Sequence, residues 1–83
     1  MAQIVLTNDL GRQFAGGETT FDMDVTDVRD LIRKLDQRFP GIGEKLQDGS
    51  TAVAIDSEIY QEAWLEEIKP ASEVFFLPAI RGG

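Results

Sequence analysis

The sequence predicts an α+β fold in which a mixed sheet of four to five strands carries one main helix on one face. An apolar stripe with helical spacing occupies the middle of the chain. Short segments rich in β-branched and aromatic residues lie before and after it. The chain has 83 residues, enough for one domain with a modest core. An amphipathic helix in so small a domain needs an apolar sheet face to cover.

Two strands are predicted before the helix. Residues 3–7 are rich in β-branched side chains, and residues 20–25 alternate polar and apolar side chains. Residues 8–11 have the composition of a turn, and a loop is expected to continue to residue 17. The two strands are therefore expected to form an antiparallel hairpin with a long connection.

The main helix is predicted from its apolar stripe, which falls on one helical face. The stripe consists of Val28, Leu31, Ile32, Leu35 and Phe39. Thr26 or Asp27 is placed to cap its N-terminus. Asp30 and Lys34 form an i,i+4 pair of opposite charge. Pro40 disfavours helical geometry at the residue before it, so the helix is expected to end there.

Three further strands are predicted after the helix. Residues 41–46 are expected to form a loop with one short helical turn. Residues 52–56 form a strand, and a tight turn leads into a short strand at residues 59–60. Residues 73–77 form the last strand, which Pro78 ends. The predicted domain therefore spans residues 1–78, and residues 79–83 are a flexible tail ending in Gly-Gly.

Composition excludes several classes of function. The chain has no cysteine and no histidine, which removes disulfides, thiolate metal sites and the commonest general base. No calcium-loop spacing is present, so no metal site is expected. The net charge of −7 makes nucleic acid and anionic membranes poor partners and suits a basic protein partner. No membrane span or signal peptide is recognisable, and a cytoplasmic location is expected.

The C-terminal Gly82-Gly83 is the strongest candidate for chemistry. Glycines have no side chains and many accessible backbone conformations, so they form a thin thread that can enter a narrow channel. The thread would present the free α-carboxylate of Gly83, which can be activated by acyl-adenylation with ATP. A terminal Gly-Gly also arises by chance, but here it closely follows an apolar strand and Pro78.

Residues 68–83 resemble the C-terminal signature of the MoaD/ThiS sulfur-carrier family, and the closest branch is the molybdopterin synthase small subunit. The resemblance implies a β-grasp (ubiquitin-like) fold. It also implies that an E1-like enzyme uses ATP to adenylate Gly83 and that sulfur then replaces AMP to give a thiocarboxylate. A subunit of the molybdopterin synthase large-subunit type would accept the sulfur. The carrier itself would bind no cofactor and would not be an enzyme.

This C-terminal segment departs from the family pattern at three places. Ala71-Ser72 stands where the family has a Gly-Asp turn, so that turn must be made otherwise. Ala79 replaces the second of two prolines. Arg81 places a positive charge beside the glycines and is similar to the end of ubiquitin. These departures leave open which pathway the chain serves.

The last strand carries apolar residues on both faces. Val74 and Phe76 point to one face, and Phe75 and Leu77 point to the other. Either the loop that contains Trp64 and Leu65 folds over Phe75 and Leu77, or these two side chains form an exposed patch for a partner.

The resemblance favours partner docking through this face. Ile59 on the neighbouring strand is a third candidate contact, and Ile80 and Arg81 are candidate contacts in the tail. A sulfur carrier is therefore the leading hypothesis. The alternatives are a ubiquitin-like modifier joined to lysine through Gly83 and a β-grasp interaction domain with a passive tail.

Overall fold

The computed structural model describes residues 1–60 and 65–79. This part of the chain contains five strands and three helices. They are β1 (Ala2–Val5), α1 (Asn8–Phe14), β2 (Thr20–Met23), α2 (Val28–Arg38), α3 (Ile42–Leu46), β3 (Thr51–Ile55), β4 (Glu58–Tyr60) and β5 (Glu73–Pro78).

The five strands form one mixed sheet in the order β2-β1-β5-β3-β4. The last strand, β5, lies in the centre, parallel to β1 and antiparallel to β3. The pairs β1–β2 and β3–β4 are antiparallel, as the predicted hairpin requires. The predicted fold class, a mixed sheet with one main helix on one face, is confirmed.

The predicted turn at residues 8–11 is wrong, because this segment forms the first half of α1, a helix of about two turns. Thr7 is extended and caps the helix, since its Oγ1 accepts a hydrogen bond from the Leu10 N–H at 3.1 Å. Leu10 is buried in the core, which ties the helix to the sheet. The residue types that form turns also start helices, and the local sequence does not distinguish the two. β1 ends before the predicted residue 7 because Thr7 serves as this cap.

The main helix α2 has the predicted limits and the predicted buried face. Asp27 caps its N-terminus by accepting a hydrogen bond from the Asp30 N–H at 2.7 Å. Phe39 ends it, and its N–H still donates to the Leu35 carbonyl. The predicted Asp30–Lys34 ion pair is present at 3.4 Å.

The short helix α3 confirms the predicted helical turn after Pro40. Gly41 precedes it with a φ of 98°, a left-handed conformation that favours glycine. The Asp36 carboxylate accepts hydrogen bonds from the N–H groups of Gly41 and Gly43, at 3.1 and 3.0 Å. These bonds fix α3 against the end of α2.

The core lies between one face of the sheet and α2. The alternating residues of the strands meet the buried stripe of the helix there. The most deeply buried large side chains are Ile4, Leu31, Leu35, Ile42, Val28 and Val74. The opposite face of the sheet, here called the open face, carries Phe75 and Leu77.

Candidate functional site

The central strand β5 delivers the C-terminal segment to the surface. Its last residues pair with β3, so that Pro78 lies opposite Thr51 and Leu77 lies opposite Ala52. One residue further, the Ala79 N–H donates a hydrogen bond of 2.9 Å to the Ser50 carbonyl. The backbone is therefore held by β3 and its preceding loop as far as Ala79. The candidate residues Ile80, Arg81, Gly82 and Gly83 lie outside the described residues.

The loop that receives Ala79 is organised by one carboxylate. Asp48 accepts hydrogen bonds from the Ser50 hydroxyl at 2.5 Å and from the Ser50 N–H at 2.8 Å. The hydrogen bond from the Ser50 hydroxyl has the largest effect in lowering the pKa of the Asp48 carboxyl, and the bond from the Ser50 N–H has the next largest. The nearby Lys45 ammonium lowers this pKa further. The Ser50 carbonyl that Ala79 contacts thus belongs to a turn that the Asp48 side chain stabilises. The local sequence does not show that this turn lies at the exit of the C-terminal segment.

The open face carries an apolar row that crosses four strands. Val5 lies opposite Phe75, Phe75 lies opposite Ala54, and Ala54 lies opposite Ile59. Directly opposed residues share a face, so all four side chains point away from α2. Phe75 is 37% exposed and Ile59 is 64% exposed. These are two of the three residues that sequence analysis proposed as partner contacts in the folded domain.

The third proposed contact, Leu77, extends the same surface toward the C-terminal exit. It is half-buried and lies opposite Ala52. Ala52 and Ala54 are both buried and lie opposite the larger side chains of Leu77, Phe75 and Ile59. We call Val5, Ala52, Ala54, Ile59, Phe75 and Leu77 the open-face patch. It is an apolar surface that reaches to within one residue of Pro78.

Leu65 does not cover the open-face patch. It is 80% exposed and lines the same surface depression as Arg29 and Ile32 of α2, on the helix side of the sheet. The backbone after it runs along the start of α2, where the Glu66 carbonyl accepts from the Val28 N–H. Leu65 itself therefore does not fold over Phe75 and Leu77, and the alternative in which the loop of Trp64 and Leu65 covers them stays a prediction. Trp64, the other residue of that prediction, lies outside the described residues.

The turn before β5 is made by a hydrogen-bonded serine in place of the family's Gly-Asp. Ala71 adopts a φ of 69°, and Ser72 is buried. The Ser72 Oγ accepts from the Lys69 N–H at 3.2 Å and donates to an Asp56 carboxylate oxygen at 2.9 Å. The other Asp56 oxygen accepts from the Glu73 N–H at 3.0 Å. Both hydrogen bonds lower the pKa of the Asp56 carboxyl, and the bond from the Glu73 N–H has the larger effect.

This arrangement ties the β3–β4 turn to the first residue of β5. The local sequence does not show how this turn is made, because residues 56 and 72 are distant in the chain. Within residues 1–60 and 65–79, no cluster of acidic side chains is arranged to hold a metal ion. In the same part of the chain, no helix is long and apolar enough to cross a membrane.

A five-stranded sheet around one main helix, with the C-terminus leaving from the central strand, defines a ubiquitin-like β-grasp protein. A model of the ThiS family matches residues 5–83, almost the whole chain. The chain belongs to this family, the ubiquitin-like sulfur carriers of ThiS/MoaD type. The family predicted from the C-terminal segment is confirmed.

Two solved structures share the fold. One is the BexX/CysO complex of Amycolatopsis orientalis, with a TM-score of 0.83, 22% identity and complete coverage of both chains. The other is CysO of Mycobacterium tuberculosis, described as an antigen, with a TM-score of 0.83 and 19% identity over 96% of this chain and 100% of that one. No significant match was found among curated protein sequences.

Proposed function

We propose that the chain carries sulfur as a thiocarboxylate on Gly83. The carboxylate oxygen of Gly83 would attack the α-phosphate of ATP, forming an acyl-adenylate and releasing pyrophosphate. A hydrosulfide ion would then attack the acyl carbon, a C–S bond would form, and AMP would leave as the C–O bond breaks. The carrier supplies the acyl group, and the activating enzyme supplies the catalytic groups.

The observation that carries this proposal is the position of the C-terminal exit. Ala79 is hydrogen-bonded to Ser50, four residues before the terminal carboxylate, and the open-face patch lies directly beside it. A partner that binds the patch is thereby in reach of the last four residues. At the length of an extended chain, four residues span about 13 Å. That distance is sufficient to pass through a narrow channel into an active site.

The composition supports a carrier more than a catalyst. The chain has no cysteine and no histidine to act as nucleophile or base. Its exposed apolar side chains, Phe75 and Ile59, suit docking onto a protein surface. The first partner would be an E1-like adenylating enzyme. No bound cofactor is required of the carrier, since ATP is consumed by that enzyme.

The recipient of the sulfur is proposed from two sources. The C-terminal segment is most similar to the molybdopterin synthase small subunit, which favours delivery to a synthase subunit of the molybdopterin type. The shared fold with CysO, solved in one case as a complex with BexX, favours a carrier that works bound to a different protein. The thiocarboxylate form can be offered separately to a purified synthase subunit of the molybdopterin type and to a purified protein of the BexX type. The protein that consumes the thiocarboxylate is the recipient.

The second candidate function is a ubiquitin-like modifier. It is favoured by Arg81, which precedes Gly82-Gly83 as in ubiquitin. In that case the activated Gly83 would be transferred to a lysine amine and would form an isopeptide bond. The two functions share the adenylation step and differ in the nucleophile that follows it.

Intact-protein mass spectrometry separates these functions. The chain is incubated with an E1-like enzyme, ATP and sulfide, and a variant lacking Gly83 serves as the control. We expect the full chain to gain the mass difference between sulfur and oxygen and the control to remain unchanged. Adducts on lysines of other proteins would establish the modifier. If the mass stays unchanged with every E1-like enzyme of the organism that makes this chain, both the sulfur-carrier and the modifier functions are refuted.

A further inference from the structure

The register of the sheet places acidic side chains in a row across one end of the open face. Gln3 lies opposite Asp22 on one side and opposite Glu73 on the other. Neighbouring strands are about 4.8 Å apart, so the two acidic residues lie about 10 Å apart on the same face. Both are exposed. Asp56 continues the row, because its carboxylate accepts the Glu73 N–H.

This acidic row, Asp22, Glu73 and Asp56, borders the open-face patch on the side away from the C-terminal exit. Phe75 follows Glu73 by two residues along β5, which is about 7 Å on the same face. Pro78, at the other end of β5, leads into the C-terminal segment. The open face therefore has an acidic end, an apolar middle and an exit end.

Within residues 1–60 and 65–79, no salt bridge neutralises the acidic row. The four ion pairs found among the described residues involve other carboxylates, those of Asp9, Asp30 and Asp48. Hydrogen bonds from the Glu73 N–H and the Ser72 hydroxyl, together with the charge of Lys69, favour ionised Asp56. Lys69 offsets one of the three negative charges, and the row remains net acidic.

We propose that the partner docked on the open face carries lysine or arginine side chains opposite the acidic row, next to an apolar surface that meets the open-face patch. This inference rests on the proposed function. An apolar patch alone can be covered in several orientations, because apolar contact has no direction. A charge at one end selects a single orientation, in which the C-terminal exit faces the partner's active site. The acidic row is thus a specificity determinant for the activating enzyme.

Charge reversal tests the inference. The double variant Asp22→Lys/Glu73→Lys reverses the row, and Asp22→Asn/Glu73→Gln neutralises it with little change in shape. Glu44→Lys changes the net charge by two units, as the neutralised variant does, but on α3, which packs on α2 away from the open face. Each protein is assayed for adenylation by ATP–pyrophosphate exchange with the E1-like enzyme, at ionic strengths of about 0.05 and 0.5 M.

We expect charge reversal to lower kcat/KM about tenfold at the low ionic strength, with kcat unchanged, and neutralisation to have a smaller effect in the same direction. The difference from the unmodified chain should shrink at the high ionic strength, where screening acts over about 4 Å. Glu44→Lys should behave like the unmodified chain. All variants should show the same thermal unfolding midpoint within a few degrees, since the substituted side chains are exposed.

Two results would overturn the inference while leaving the proposed function intact. One is adenylation of the reversed and neutralised variants at the rate of the unmodified chain at both ionic strengths. The other is an equal loss in Glu44→Lys, which would show a dependence on net charge and not on the acidic row. Failure of the unmodified chain to be adenylated would instead refute the proposed function, and the inference with it.

Discussion

Phe75 and Phe76 are neighbours in β5 whose rings lie on opposite faces of the sheet, which allows folding and docking to be perturbed separately. Phe76 is 3% exposed and belongs to the core, whereas Phe75 is 37% exposed on the open-face patch. Each is truncated to alanine, so that the same chemical change is made one residue apart. We expect Phe76→Ala to damage the fold and Phe75→Ala to damage partner binding.

The structure sets the expected magnitudes. Truncating a fully buried phenylalanine costs about 3–5 kcal/mol, a large share of the roughly 4–12 kcal/mol expected for a domain of this size. Phe75 has two cross-strand neighbours, Val5 and Ala54, so its truncation should lower the free energy of unfolding by about 1 kcal/mol. Burying the exposed third of its ring under a partner removes about 70 Å² from water, worth about 2 kcal/mol. Its loss should weaken binding by about 30-fold.

Two measurements are compared for each variant. Urea denaturation followed by circular dichroism gives the free energy of unfolding, and titration calorimetry with the E1-like enzyme gives the dissociation constant. Phe75→Ala should lose far more affinity than stability, and Phe76→Ala should lose far more stability. Equal destabilisation by the two substitutions would show that Phe75 belongs to a core. Unchanged affinity in Phe75→Ala would show that the open face is not the docking surface.

Three further predictions test the C-terminus, the first helix and the turn before β5. Deleting Gly83 should abolish thiocarboxylate formation and leave the thermal unfolding midpoint unchanged; a large drop in the midpoint would mean that the terminus is structural. Gly11→Ala should lower the free energy of unfolding by about 1–3 kcal/mol in urea denaturation, because the added Cβ would lie 2.6 Å from the Glu18 carbonyl oxygen. Equal or greater stability would refute that contact. The pKa of Asp56 lies below its ordinary value of 3.8 in the folded chain. The stability that the ionised Asp56 carboxylate provides is therefore complete above that value and is lost as the pH falls through the folded pKa. The unfolding midpoints of Asp56→Asn and the unmodified chain should therefore converge as the pH falls below about 4. A gap independent of pH would contradict this.

The parts of the site that lie within one strand were predictable from the sequence. Alternation along β5 assigned Val74 and Phe76 to one face and Phe75 to the other, because side chains in a strand point to opposite sides. Whether the face of Phe75 and Leu77 is covered was not predictable, since that depends on where the loop of Trp64 and Leu65 packs. Leu65 lies on the helix side, and only the tertiary contacts of its neighbours with α2 place it there.

The acidic row and the turn before β5 were not predictable because both depend on long-range pairing. Asp22 and Glu73 are brought to one row by the register of two different strand pairs with Gln3. Asp56 and Ser72 meet only because β3 and β5 are antiparallel neighbours. Local patterns fix the direction of each side chain from its own strand, but they do not fix which strand lies beside it or in what register.

The sequence by itself determined the elements whose signals are local. These are the apolar stripe of α2, the strand alternation, the proline that follows α2 and the proline that ends β5, and the C-terminal signature that indicated the family. It misassigned α1, because Thr7 and the residues after it have the composition of a turn as well as of a helix start. The tertiary structure decided that α1 is a helix, since burial of Leu10 rewards that choice. It also decided that the C-terminus leaves from the centre of the sheet beside an exposed apolar face, because strand order follows from packing around a shared core and not from any local pattern.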